Sequence, residues 1–207
     1  FIEIIGPHAF NKCDDIEIIF QKDSKLKIIG ESAFEKSSIK AITIPSSVRK
    51  ICKCAFSQCK NYISIDFEKK SLLEIIGSNA FYETHISSLF GTLIPDNVTK
   101  IGNYAFKYSF YSWYDILFSN KSKLKEIGRD EFHGCEFKTI CLPSCVSEFK
   151  SNWCSYTKNV ENIKIIPNEI KNIISYEDKF ILGKSNPKSR TFFSLKSYWI
   201  KPFLSPF

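Results

Sequence analysis

Eight cysteines and three histidines are the residues best equipped for chemistry in this 207-residue chain. Cys52, Cys54 and Cys59 form a C-x-C-x4-C cluster, which raises the question of a zinc site. Zinc needs four ligands at coherent spacing. No histidine or second cysteine pair lies nearby in sequence, so no metal is assigned. Cys13, Cys59 and Cys135 occupy a different pattern, each three residues after a phenylalanine, and Ser37, Thr84 and Ser109 stand at or near the same place elsewhere. Small residues alternating there read as a packing and turn position. If the chain is secreted, a disulfide among Cys141, Cys145 and Cys154 could staple that end. His8, His85 and His133 have no serine or cysteine at catalytic spacing. There is no G-x-S-x-G, H-E-x-x-H, phosphate-binding loop or dinucleotide fingerprint. No catalytic residue and no cofactor is assigned, and the reading is that the chain is not an enzyme.

Those residues are positioned by an internal repeat. Ile5-Gly6-Pro7-His8-Ala9-Phe10 recurs as Ile29 to Phe34, Ile51 to Phe56, Ile76 to Phe81, Ile101 to Phe106 and Ile127 to Phe132. All six copies keep Ile and Phe; Cys52 replaces one Gly and Glu131 one Ala. Phe-to-Phe spacing runs from about 22 to about 26 residues, inside the leucine-rich-repeat window. A decayed seventh copy follows with Val146, Phe149 and Trp153-Cys154. Connectors alternate: Phe…Ser-x-Leu after odd copies (Phe20, Ser24, Leu26) and Ile-Pro-x-x-Val after even ones (Ile44, Pro45, Val48). The structural unit is therefore a pair of coils. Period-two runs such as Ile39–Ile44 and Tyr62–Phe67 predict strands with one buried face. A second short strand is expected over Val48–Ile51 and its equivalents. Gly-x-x-Ala-Phe is expected to make one helical or 3₁₀ turn, with Gly easing the backbone out of the strand. One such coil cannot bury its own Phe and Ile, whereas stacked coils can.

These residues resemble BspA-like leucine-rich repeats, the Treponema-type class. The resemblance rests on Ile-Gly-x-x-Ala-Phe, the following Cys and both connectors, and it covers Phe1 to about Ile174. The alternating connectors are also similar to those of large surface-protein expansions in mucosal protists. The resemblance implies an α/β, β-dominated right-handed solenoid, with a parallel sheet on the concave face and short strands and helical turns on the convex side. It further implies cell-surface display and adhesion to a protein ligand, such as a host matrix or cell-surface protein. The expected organisation is a solenoid of about seven repeats over residues 1–174 and a basic, aromatic tail over 175–207. Phe81 to Pro95 is about three residues longer than the matching stretches and departs from the pattern.

Composition narrows the partner class. The formal net charge is +7, and Lys179, Lys184, Lys188, Arg190, Lys196 and Lys201 supply most of it from the tail. The remainder is nearly neutral, so no nucleic-acid partner is assigned. No run approaches 18 apolar residues, so no membrane span lies in this segment. The chain starts inside a repeat and contains no methionine, which reads as a fragment or as a sequence missing its true start. Asn97-Val98-Thr99 and Asn120-Lys121-Ser122 match the N-glycosylation pattern in connectors. From the register, Lys40, Ala41, Thr43, Ser64, Asp66, Ser87, Ser88, Lys138 and Thr139 are expected to face outward on the concave sheet as the ligand-binding row. The alternative is an intracellular protein-interaction scaffold.

Overall fold

Period-two runs and repeated rings generate a parallel β-solenoid. The computed structural model describes residues 1–86, 92–109, 116–136, 139–157 and 162–166. The strands in chain order are β1 (Ile4–Ile5), β2 (Ile28–Ile29), β3 (Ala41–Ile44), β4 (Lys50–Ile51), β5 (Ser64–Phe67), β6 (Ile75–Ile76) and β7 (Thr92–Leu93). They continue with β8 (Lys100–Ile101), β9 (Ile116–Leu117), β10 (Glu126–Ile127), β11 (Thr139–Pro143), β12 (Glu148–Phe149) and β13 (Asn162–Ile166). Two-residue strands pair in the order β1-β2-β4-β6-β8-β10-β12 and form one parallel face. The remaining strands, which include all the longer ones, form a second parallel face, split into β3-β5 and β13-β11-β9-β7.

Stacking puts identical residues in columns. Phe10, Phe34, Phe56, Phe81, Phe106 and Phe132 stack with neighbouring ring centroids 5.1, 5.1, 5.4, 5.1 and 5.7 Å apart and nearly parallel planes. Ile29, Ile51, Ile76, Ile101 and Ile127 form a second, fully buried column beside it. Aromatic pairs in offset stacks add roughly 0.5–1.5 kcal/mol each beyond the burial of their area.

The expected helical turn is not present; no helix occurs among the described residues. Gly6 to Cys13 instead runs as consecutive four-residue turns. Ala9, Asn11 and Cys13 donate their N–H groups to the carbonyls of Gly6, His8 and Phe10. The intervening N–H groups of His8, Phe10 and Lys12 point the other way, to Glu31, Ala33 and Glu35 of the next coil at 2.9, 2.7 and 2.8 Å. A helix would spend every N–H inside its own turn; here half of them tie coil to coil. The geometry requires a left-handed residue two places before and two places after each ring. His8 and Lys12, Ser32 and Lys36, Cys54 and Gln58, and Asn79 and Glu83 all have φ between 50° and 59°.

Glycine has a different role from the expected one. The glycines after the isoleucines do not appear among the positive-φ residues. A Cβ on Gly30, Gly77, Gly102 or Gly128 would lie 2.6–2.7 Å from backbone of the preceding coil. Glycine is there because coils approach backbone to backbone.

The seventh copy is rearranged rather than merely decayed. Phe132 donates its N–H to the Trp153 carbonyl, as Phe10 does to Ala33, so Trp153 holds the Ala column. Left-handed Asn152 and Tyr156 flank Cys154, which therefore holds the ring column. The indole compensates by lying edge-on to Phe132 at 6.3 Å and against Phe149 at 5.2 Å.

Candidate interaction face

The outward row begins on β3 and β5. Ala41 pairs with Ser64 and Thr43 with Asp66, in parallel register. Ile42, Ile44 and Ile65 point inward and are buried, so alternation exposes Ala41, Thr43 and Asp66 and leaves Ser64 half-exposed. Lys40 is exposed beside them, and its carbonyl accepts the Ser64 N–H at 3.0 Å. These five residues lie together. Ser87, Ser88 and Lys138 lie outside the described residues.

Thr139 does not fit the expected row. It is 6 % exposed. Strand β11 has neighbours on both sides, β9 and β13, whereas β3 and β5 form a two-stranded sheet. Half-exposed Cys141 is the more accessible residue of its strand.

Tyr62 was missed and belongs with the face. It is 67 % exposed, shares the parity of Ser64 and Asp66, and rests against the His85 ring at 5.2 Å. Its signal was available: an aromatic at an outward parity position of a period-two run. Nearby, Lys60 Nζ lies 2.6 Å from Asp14 Oδ1, which also accepts from Ser38 Oγ at 3.0 Å. Lys60 and Ser38 together hold the Asp14 carboxyl below its ordinary range. The pair is exposed to solvent and contributes little stability.

The comparisons with known proteins agree with this geometry. A model of the BspA type leucine rich repeat region matches residues 2–112 and 94–180 in six copies. The chain belongs to the BspA type leucine-rich-repeat family. A crystal structure titled as the pneumococcal vaccine antigen PcpA matches with TM-score 0.62 and 27% identity, over 69% of this chain. This chain spans 36% of the length of that one. No curated protein sequence gives a significant match.

Within the BspA-type coil the cysteines and connectors find local explanations. The position three residues after the ring is a donor column. Cys59 Sγ reaches the Phe34 carbonyl at 3.4 Å and Cys135 Sγ the Phe106 carbonyl at 2.9 Å. Thr84 and Ser109 donate likewise to Phe56 and Phe81. Cys, Ser and Thr interchange there because each is a small donor to one buried carbonyl. Burial pushes the Cys59 thiol up to about 11.

The connectors interlock in pairs. Ser24, Ser71 and Ser122 accept, through Oγ, the N–H of Leu26, Leu73 and Leu124, each at 3.3 Å. From the following Pro connector, Ser47, Asn97 and Cys145 donate to the carbonyls of those same serines. The Asn97 amide is thus engaged with Ser71, while Asn120 is exposed.

No disulfide joins any of the eight cysteines, so the possible staple among Cys141, Cys145 and Cys154 is not formed. The three occupy different places in the coil: a sheet strand, a connector and the ring column. Cys154 is buried, which pushes its thiol up to about 12. Among the described residues no group of three or more His, Cys, Asp or Glu side chains could hold a metal ion, and no helix is long and apolar enough to cross a membrane. His8 lies in a left-handed turn position, His85 against Tyr62, and His133 beside Tyr108 and Tyr156.

Proposed function

We propose that this chain is a protein-binding segment of a surface-displayed repeat protein, with adhesion to a host matrix or cell-surface protein as its role. Its contact surface is the longer-strand face around Lys40, Ala41, Thr43, Ser64 and Asp66, joined by Tyr62. The sequence register adds Ser87, Ser88 and Lys138, which lie outside the described residues, to the proposed surface.

One observation carries this reading. The inward residues of β3 and β5 are consumed by the core, while their outward neighbours are exposed, small and of mixed charge. Such a row suits a broad protein contact better than a deep small-molecule pocket. Family membership and the likeness to a vaccine antigen support surface display. Cys59 and Cys154 do not favour the intracellular alternative: buried thiols with raised pKa resist oxidation in either compartment.

The test is attachment. Lys40→Glu and Lys138→Glu, singly and together, are compared with wild type for binding to immobilised extracellular-matrix proteins and intact host cells. Weakened attachment with an unchanged circular dichroism melt supports the assignment. Unchanged attachment by the folded double variant refutes it.

A further inference from the structure

The turn edge of coils four to seven carries a ridge of aromatic residues. Tyr82 and Tyr108 meet edge-on at 6.4 Å, Tyr108 and His133 at 5.4 Å, and His133 and Tyr156 at 4.8 Å. Lys107 Nζ lies over two rings, 5.2 Å from the centroid of Tyr104 and 5.4 Å from that of Tyr108. Nothing equivalent occupies this edge in the second coil, where the corresponding residues are Ser32, Glu35 and Lys36.

We propose that this ridge is a second docking surface, for an acidic peptide segment of a partner protein. Three observations point there. First, the fold does not ask for these rings. Tyr104, Tyr108 and Tyr156 have φ of 62°, 57° and 55°, a conformation that glycine and asparagine adopt most easily and bulky residues resist. Gly134 and Asn152 fill other positions of the same two columns. Tyr156 is also 55 % exposed. Tyrosines that strain the backbone and stay half-exposed, as Tyr104 and Tyr108 do, or exposed, as Tyr156 does, are poor contributors to a core and good contributors to an interface, where they supply rigid apolar area with a polar tip.

Second, the ridge has an uncompensated cation. No carboxylate lies within ion-pair distance of Lys107 among the described residues. The nearby Asp130 is directed at His133 Nδ1, 3.5 Å away. Burial, aided by the charge of Lys107, holds His133 below its ordinary pKa and so neutral at pH 7. Glu83 on the same edge is engaged by the Gln58 amide and Asp130 faces His133, so among the described residues Lys107 is the cation of the ridge left without a carboxylate, and a partner carboxylate completes it.

Third, room has been made for the ridge. A Cβ on Gly134 would lie 2.1 Å from the Tyr108 ring, so glycine at that place lets the tyrosine lie down over the next coil. The rings meet edge-on or tilted, so they offer no flat platform of the kind a sugar ring stacks on, which favours an extended peptide.

The test uses the full chain and fluorescein-labelled Gly/Ser dodecapeptides carrying four glutamates and one leucine, with a Gln-for-Glu control peptide and a heparin hexasaccharide. The expected result is binding of the glutamate peptide only, weakened about fivefold or more by Lys107→Ala and by Tyr156→Gly. Lys40→Glu, on the other face, leaves that affinity unchanged. Tyr156→Gly keeps or raises the melting temperature, since it relieves a left-handed residue; a purely structural tyrosine would lower it. Bound peptide also raises the His133 pKa, read from its ring NMR shifts, because a carboxylate beside Lys107 stabilises imidazolium. Wild-type affinity in the Lys107→Ala variant overturns the proposal. So does equal loss in Lys40→Glu, which marks unspecific charge attraction, or binding of the hexasaccharide in place of the peptide.

Discussion

Glu131→Gln isolates the one buried carboxyl in the columns. Where the five preceding coils have Ala, the sixth has Glu131, 0 % exposed. Its Oε1 accepts the Ala105 N–H at 3.1 Å, and its Oε2 has no hydrogen-bond partner. Burial raises its pKa well above the ordinary carboxylate value; the Ala105 N–H opposes this, while Asp130 and Glu126 add to it. The folded chain therefore keeps a proton that the unfolded chain releases. The stability this carboxyl allows is complete below the ordinary value, about 4.5, and is lost as pH rises toward the folded pKa. The loss is about 1.4 kcal/mol for each pH unit above that value while the group stays protonated. Glutamine keeps a carbonyl for Ala105 and carries no titrating proton. Urea melts at half-unit steps from pH 4 to pH 8 should show the variant gaining on wild type at that slope. His133, whose pKa is lowered, contributes stability in the opposite sense, gained as pH rises toward 6.5, but it is present in both chains and cancels in the difference. Parallel stability curves for the two chains between pH 5 and pH 8 would show that Glu131 is ionised or solvated in the fold, and the reasoning would fail.

Two further predictions probe the stack. Phe81→Ala removes a ring held between Phe56 and Phe106 and should cost about 3–5 kcal/mol in urea melts, whereas Phe10→Ala, at a half-buried ring with one stacked neighbour, should cost clearly less; equal losses would refute the column. Gly77→Ala places a Cβ 2.6 Å from the carbonyl carbon of Cys52 and should destabilise by about 1–3 kcal/mol in thermal melts, while Gly6→Ala, with nothing within 4 Å, should be nearly neutral.

Much of the fold is legible because a stack turns sequence register directly into spatial columns. The six Ile and Phe positions become two continuous columns, and β3, β4, β5 and β11 fall within or beside the runs that period-two alternation marks. Turn conformation is less legible. The residues at left-handed positions include His8, Lys36, Gln58 and Glu83, none of which advertises positive φ, so a helical turn was the natural expectation. Those conformations are imposed by hydrogen bonds to the next coil, which local propensity does not contain. The donor column was half visible: Cys13, Ser37, Cys59, Thr84, Ser109 and Cys135 share smallness and a polar hydrogen, yet the carbonyls that Cys59, Thr84, Ser109 and Cys135 reach lie on the preceding coil and come within reach only when coils stack.

The amino-acid sequence alone determined that coils repeat, which residues face inward and which connectors alternate, because these depend on spacing within one turn of chain. Tertiary structure decided what depends on the coil above or below. It buried Thr139 while leaving Thr43 in water. It moved the large ring of the last copy from the Phe column to the Ala column at Trp153. It closed the solvent around Glu131 and gathered Tyr82, Tyr108, His133 and Tyr156 from four coils onto one edge. Each of these outcomes turns on volume and hydrogen bonds shared between coils about 25 residues apart, and spacing within a single coil carries no record of them.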